Sequence, residues 1–317
     1  MWRYYLLRIA TVLAKHVPPK VAYWVTWVAA KLAYRNAHTT RAAIEANLRR
    51  IVDQPLDDET SQRLVRSTLQ NLYLNYWDLV RIPHFTREEL RSRVEFYGMN
   101  YFDEATSHGK GVVLASAHLG NLDFVLQASL GLGLRFTVLA EQLEPKRLHD
   151  LQMQLRRTRG LTFEPVGPRG IRAAFEAIRR GDFACVATDR AIHGKGIVTD
   201  FLGEPAIMPT GAAELALRTG ATVLPAYSIR TGVDSHRVYL EPPIRVEAAP
   251  GNADKVRALT DVIIAIMERY IKAHPDQWMA MEPVWVSDHS LAASALVNRQ
   301  DESTPAGRNV ATGTKTA

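Results

Sequence analysis

Apolar residues recur at three- and four-residue spacing over residues 39–52 and 58–82, the mark of helices with one buried face. In the second stretch Leu64, Leu69, Leu72, Leu74, Trp77 and Val80 supply that face. The run Asn71–Trp77 is rich in aromatics and reads as core or as the wall of an apolar groove. Pro18-Pro19 divides the preceding segment into two helices, because proline is accepted at a helix start but not inside one. Residues 84–95 read as a charged helix or connector. From 99 to 250 the pattern changes to short apolar runs alternating with amphipathic helices. The runs are Gly111–Ala117, Phe136–Ala140, Thr162–Val166, Phe183–Thr188, Thr222–Ile229 and Val238–Leu240. The helices are Leu122–Leu130, Pro145–Arg159, Ile171–Arg180 and Gly211–Thr219, with a last long one over 254–273. Such alternation predicts an α/β layer structure.

Three segments are therefore expected: amphipathic helices over 1–37, an α/β domain over 38–288, and a small, polar, disordered tail over 289–317. Of 317 residues 47% are hydrophobic and 23% charged, enough for a globular core and incompatible with a disordered chain or a collagen. The single cysteine, Cys185, allows no intrachain disulfide and makes a cysteine-based zinc site untenable. It lies inside an apolar run, where a thiol is buried and inert.

Charge changes the picture at the N-terminus. The chain carries 39 basic and 33 acidic residues. Residues 1–44 hold Arg3, Arg8, Lys15, Lys20, Lys31, Arg35 and Arg41 and no Asp or Glu, so the remainder is close to neutral. The basicity belongs to that segment and not to a nucleic-acid-binding surface. Its longest uncharged run, Val21–Ala30, is far short of the roughly 20 residues that cross a bilayer. Basic helices rich in Trp, Tyr and Leu suit an anionic membrane surface, where each Lys or Arg contributes about 1 kcal/mol. Helices packed on the domain with solvated lysines are the other reading, and the two are compatible.

The chemistry gathers at Ala115-Ser-Ala-His-Leu-Gly-Asn-Leu-Asp123. An apolar strand runs into His118, Gly120 supplies a turn, and a helix begins near Asn121. Ligands of α/β folds bind at this edge of the sheet. Asp123, in the first helical turn, is positioned to fold back on the imidazole, fix its tautomer and leave the other nitrogen free to accept a proton. A capping Asp beside a satisfied histidine is the alternative. There is no G-x-S-x-G elbow, H-E-x-x-H or Walker A sequence. A His-Asp base without a protein nucleophile suits direct transfer, in which a substrate hydroxyl is deprotonated and attacks an activated acyl group.

His118-Leu-Gly-Asn-Leu-Asp123 resembles the HxxxxD motif of glycerolipid and glycolipid acyltransferases. The wider similarity is to the branch with the lipid A lauroyl/myristoyl acyltransferases and the mycobacterial phosphatidylinositol mannoside acyltransferase. Asn47-Leu, Gly98-x-Asn100, Asp189, Val198-x-Asp-Phe-Leu-Gly-Glu-Pro205, Thr219-Gly-Ala-Thr-Val-Leu-Pro225 and His274-Pro-Asp-Gln-Trp278 follow in the expected order, over roughly residues 20–285. Ala140-Glu-Gln-Leu143 and Arg156 are closer to the mannoside branch. Arg190 stands where the lipid A branch often has Gln, which speaks against a lipid A acceptor.

The resemblance implies a glycerolipid acyltransferase-like fold, a central mostly parallel sheet flanked by helices, with a long apolar groove. It implies transfer of a fatty acyl chain from acyl-CoA or acyl carrier protein to a hydroxyl of a glycolipid or lysophospholipid, with no further cofactor and no metal. The enzyme would lie peripherally on the cytoplasmic face of the bacterial inner membrane. By position His118 is the base and Asp123 its orienter, while Gly120, Asn121, Glu141, Arg156, Asp189 and Arg190 would contact substrates. Glu141 and Arg156 would hold the acceptor headgroup or donor phosphates. Gly167-Pro-Arg-Gly170, with Arg169 and Arg172, forms either a phosphate site or a plain turn, and the glycine-bracketed segment 191–197 could close over substrate. A catalytically silent lipid-binding protein and an acyl thioesterase are the competing functions.

Overall fold

A computed structural model of the chain describes residues 2–287 apart from 53–54, 108, 143–144, 158–160, 192–195 and 283. The tail expected over 289–317 and most of the segment 191–197, including His193, lie outside the described residues. Five helices come first: α1 (Trp2–Leu13), α2 (Pro19–Asn36), α3 (His38–Ile51), α4 (Asp58–Arg81) and α5 (Arg87–Arg91). There follow β1 (Val94–Tyr97), α6 (Met99–Thr106), β2 (Val112–Ser116), α7 (Leu122–Ser129), β3 (Phe136–Ala140), α8 (Lys146–Arg157), β4 (Thr162–Pro165), α9 (Pro168–Arg179) and β5 (Phe183–Ala187). The chain continues through β6 (Ile197–Phe201), β7 (Glu204–Met208), α10 (Gly211–Thr219), β8 (Thr222–Arg230), β9 (His236–Leu240) and α11 (Ala253–Ala273).

Seven strands form the main sheet in the order β1-β9-β8-β2-β5-β3-β4, parallel in every pair except β8 with β9. This is the α/β fold expected, and the reason is in the strands. Every residue of β2 and β8 is buried, as a strand covered on both faces requires. Leu114, Phe124, Val138, Phe183 and Leu224 pack on the α7 face, and Val113, Ala184, Ala216, Val223 and Ile263 on the face covered by α9, α10 and α11.

Two parts depart from expectation. Of the charged stretch 84–95 only α5 is helical, capped by Thr86 and Glu89 in a reciprocal box, and the chain then enters β1. Val-Glu-Phe-Tyr alternates inward and outward on an edge strand, so its charge does not oppose pairing with β9. The Asp200-Phe-Leu-Gly segment, noted above only as a motif, turns a β6–β7 hairpin. Leu202 (φ 56°) and Gly203 (φ 86°) both take left-handed backbone, as a type I′ turn demands, and Glu268 Oε1 accepts the Leu202 N–H at 2.6 Å.

The N-terminal helices dock on α4. Leu7 of α1 and Ala14 just beyond its end bury against Leu79, Val80 and Leu155, while Ala30 of α2 joins a cluster with Ile44, Leu48 and Leu69. No helix among the described residues is long and apolar enough to cross a membrane.

Candidate active site

Strand register sets the geometry of the site. β2 and β5 run in parallel with Ser116 opposite Ala187, so the residues two beyond each strand end, His118 and Asp189, emerge side by side. Thr188 reinforces the junction, its N–H and its hydroxyl both donating to the Ser116 carbonyl at 2.8 and 3.0 Å. His118 Nδ1 lies 2.9 Å from Asp189 Oδ1, and the Trp278 indole N–H donates to Asp189 Oδ2 at 2.9 Å. Asp189 is fully buried, whereas the His118 side chain is 43% exposed and faces a cleft. An ionised carboxylate can only accept, so Nδ1 carries the proton and Nε2 presents a lone pair to the cleft.

The electrostatics agree with that assignment. The charge of Asp189, with its hydrogen bond, raises the His118 pKa above the ordinary histidine value, although burial and the Arg190 and Arg156 charges pull the other way. Burial acts to raise the Asp189 carboxyl, but the charge and hydrogen bond of His118 and the Trp278 N–H outweigh it and bring it down to about 2.

Asp123 does not reach the imidazole. Its Oδ2 accepts from Arg156 Nη2 at 2.9 Å and Nε at 3.2 Å. Nearness in sequence suggested the His118–Asp123 contact, but α7 turns Asp123 toward α8 while the sheet delivers Asp189. Asp189 was expected to touch substrate; it lies instead beneath His118. Nor does Asp123 cap α7: Asn121 does, its Oδ1 accepting the Phe124 N–H at 3.1 Å. Gly120 has φ +61°, and a Cβ there would sit 2.2 Å from the Ser228 carbonyl oxygen, so the turn admits only glycine.

The cleft, of about 1030 Å³, brings together His118, Gly120, Asn121, Asp123, Glu141, Arg156 and Arg190. Arg190 Nη2 donates to Glu141 Oε2 at 2.6 Å and Nη1 to Glu282 Oε2 at 3.4 Å. Its walls are apolar on both sides of the sheet edge: Leu126, Val138 and Phe163 toward α7 and α8, Ile171, Leu217 and Val256 toward α9 to α11. Behind Leu122 and Leu126 a second void of about 50 Å³ lies against Phe96, Phe102 and Phe183. Gly167 and Pro168 line the cleft, but Arg169 points away to Glu164 at 3.2 Å. Cys185, 1% exposed, has its thiol pushed up to about 12 by burial and by the Asp123 charge, which leaves it no nucleophilic role.

Residues 1–287 match the family described as bacterial lipid A biosynthesis acyltransferase. The chain belongs to that family. By membership it is an acyltransferase. Among curated relatives, the phosphatidylinositol mannoside acyltransferase of Mycobacterium tuberculosis is 29% identical over 296 residues, which span 86% of this chain and 90% of the relative. The protein of the same name from Mycolicibacterium smegmatis is 29% identical over 287 residues, spanning 88% and 90%.

On this acyltransferase fold several residues around His118 escaped the sequence reading. Asn75 of α4 lines the cleft and donates to the Gly120 carbonyl at 2.6 Å, Ser228 Oγ donates to the Leu119 carbonyl at 2.8 Å, and the Met279 N–H to that of His118 at 2.7 Å. The aromatic run Asn71–Trp77 thus divides, with Leu74 in the core and Asn75 at the groove. The polar positions Asn71, Asn75 and Asp78, at four- and three-residue spacing along α4, were the available signal.

Proposed function

We propose that this acyltransferase moves a fatty acyl chain from a thioester donor, acyl-CoA or acyl carrier protein, to a hydroxyl of a glycolipid or lysophospholipid. The observation that carries this reading is His118, held at Nδ1 by buried Asp189 with Nε2 open to an apolar-walled cleft. Nε2 takes the proton of the acceptor hydroxyl as its oxygen attacks the thioester carbonyl. The tetrahedral adduct collapses, the C–S bond breaks, and the thiolate recovers the proton from the imidazolium. No acyl-enzyme forms. Asp189 stabilises the imidazolium in between. Glu141, Arg190 and Arg156, each partly exposed in the cleft, offer the acceptor headgroup or the donor phosphates both signs of charge. The names of the mycobacterial relatives favour a glycolipid acceptor.

The membrane surface is the natural meeting place for such substrates. Tyr5, Leu6, Ile9, Val12 and Leu13 of α1 and Val21, Trp24, Val25 and Leu32 of α2 are 47–66% exposed, on helices whose only charged side chains are basic. That combination supports peripheral attachment to the anionic cytoplasmic face of the bacterial inner membrane.

The test is transfer from labelled palmitoyl-CoA and palmitoyl-acyl carrier protein into a bacterial lipid extract, for wild type and His118→Ala, with products resolved by mass spectrometry. A new acylated lipid made only by wild type is expected. Free fatty acid alone would mean a thioesterase, and transfer by a well-folded His118→Ala variant would overturn the base.

A further inference from the structure

The turn that joins His118 to Asp123 is held from outside by α4. Asp78 has no exposed surface, yet it sits on this helix among Trp77, Leu79 and Val80. Its Oδ2 accepts two hydrogen bonds, from Asn121 Nδ2 at 2.8 Å and from Arg230 Nη2 at 2.5 Å. Arg230, at the end of β8, also donates to Asn75 Oδ1 at 2.8 Å, and Asn75 in turn donates to the Gly120 carbonyl. One turn of α4 thus grips Gly120 by its backbone and Asn121 by its side chain. Asn121 caps α7, so its orientation fixes where α7 begins and where Asp123 projects.

A buried acidic residue among apolar neighbours has a desolvation cost that must be met by its partners, and an apolar side chain would serve a purely structural core better. Here one partner, Asn121, belongs to the active-site segment, and the other, Arg230, also holds Asn75, the residue bound to Gly120.

We propose that Asp78 and Asn75 are positioning residues for acyl transfer, which hold the Gly120-Asn121 turn so that His118 and Asp123 face the same cleft. Neither touches the reacting atoms through its own role. Both act through the turn, and a displacement of about 1 Å at such a site costs on the order of 10²-fold in rate.

The kinetic arm rests on the acyl-transfer reading above, and a second arm does not. Asp78→Ala and Asn75→Ala are expected to lower kcat per folded molecule by about 10- to 100-fold, with KM for acyl-CoA within about threefold of wild type. The acid limb of the pH profile should not move, because the His118–Asp189 pair is intact. Asp78→Asn should restore kcat to within about threefold, since one amide oxygen can still accept from both Asn121 and Arg230. In hydrogen exchange, the Ala variants should lose protection in residues 118–126 with the core strands unchanged. A kcat within threefold of wild type in both Ala variants, or unaltered exchange over 118–126, would overturn the proposal. So would an Asp78→Asn variant as impaired as Asp78→Ala, which would assign Asp78 to charge balance for Arg230 and Arg81. If Asp78→Ala does not fold, half-buried Asn75 decides. If wild type transfers nothing from any donor, the functional reading fails and the exchange result still judges the positioning.

Discussion

His118 and Asp189, 71 residues apart in the chain, meet because their strands are neighbours in register and each residue follows its strand by the same two positions. The pair makes a specific statement about pH. Neutral His118 is the form that accepts a proton, and Asp189 raises its pKa, so transfer should fade as pH falls through that raised value. Asp189→Asn removes the charge, while Arg190 and Arg156 continue to oppose the imidazolium. The acid limb of kcat/KM should therefore move to lower pH, with the plateau about 10³-fold below wild type from the lost orientation. A pH–rate profile of both proteins measures it, and an unmoved acid limb would remove Asp189 from the mechanism.

Arg156 forms an ion pair with Asp123 in the cleft at 2.9 Å. Arg156→Ala should lower kcat/KM by about 10- to 100-fold, mostly through KM, because it strips a cation from the cleft and leaves a carboxylate to repel an anionic substrate. Arg156→Lys should recover only part, since both guanidinium contacts fall on one oxygen. Steady-state kinetics varying donor and acceptor separately would reveal which substrate feels the loss.

Attachment to lipid through α1 and α2 should need both the apolar face and the basic charge. Trp24, 61% exposed, is the more open of the two α2 tryptophans. Trp24→Glu should cut binding to vesicles containing phosphatidylglycerol by at least about tenfold, and binding of the wild type should weaken as salt rises. Vesicle co-sedimentation at two ionic strengths tests both. Undiminished binding by the variant would place the contact elsewhere.

His236 is fully buried against the Phe124 ring, with centroids 4.6 Å apart, and burial together with the Arg230 charge holds its pKa well below the ordinary value. The sign follows directly. The unfolded chain binds a proton near pH 6.5 that the folded chain refuses, so this residue subtracts stability as pH falls below about 6.5, by up to about 1.4 kcal/mol per pH unit. His236→Phe should flatten the decline in urea-unfolding free energy between pH 6.5 and 5. An identical slope in both proteins would contradict the assignment.

The fold was legible because its strands are written as apolar runs bounded by helical periodicity, and a chain with β2 and β8 buried throughout leaves little choice of class. What stayed hidden were elements whose patterns are weak: an edge strand of alternating polarity at Val94–Tyr97, and a hairpin whose turn depends on Leu202 accepting a left-handed conformation. The site followed the same rule. His118, Gly120 and Asn121 were recognisable from local sequence, because strand, turn and cap are local devices. The partner of His118 was not, since Asp189 arrives through a strand order in which β5 inserts beside β2 after two intervening strands. Asn75 and Arg230 were missed for the same reason: Asn75 reaches the turn from α4, and Arg230 reaches α4 from β8.

Burial of Cys185 has a practical meaning for testing the proposed lipid contact. Its thiol is closed to reagents and, with its pKa driven to about 12, almost free of thiolate at neutral pH. It is also the only cysteine in the chain. A cysteine introduced at Ile9 or Val25 would therefore be the sole reactive one in an otherwise native sequence. Fluorophores or spin labels attached there would report whether each N-terminal helix enters lipid headgroups, with no background to subtract.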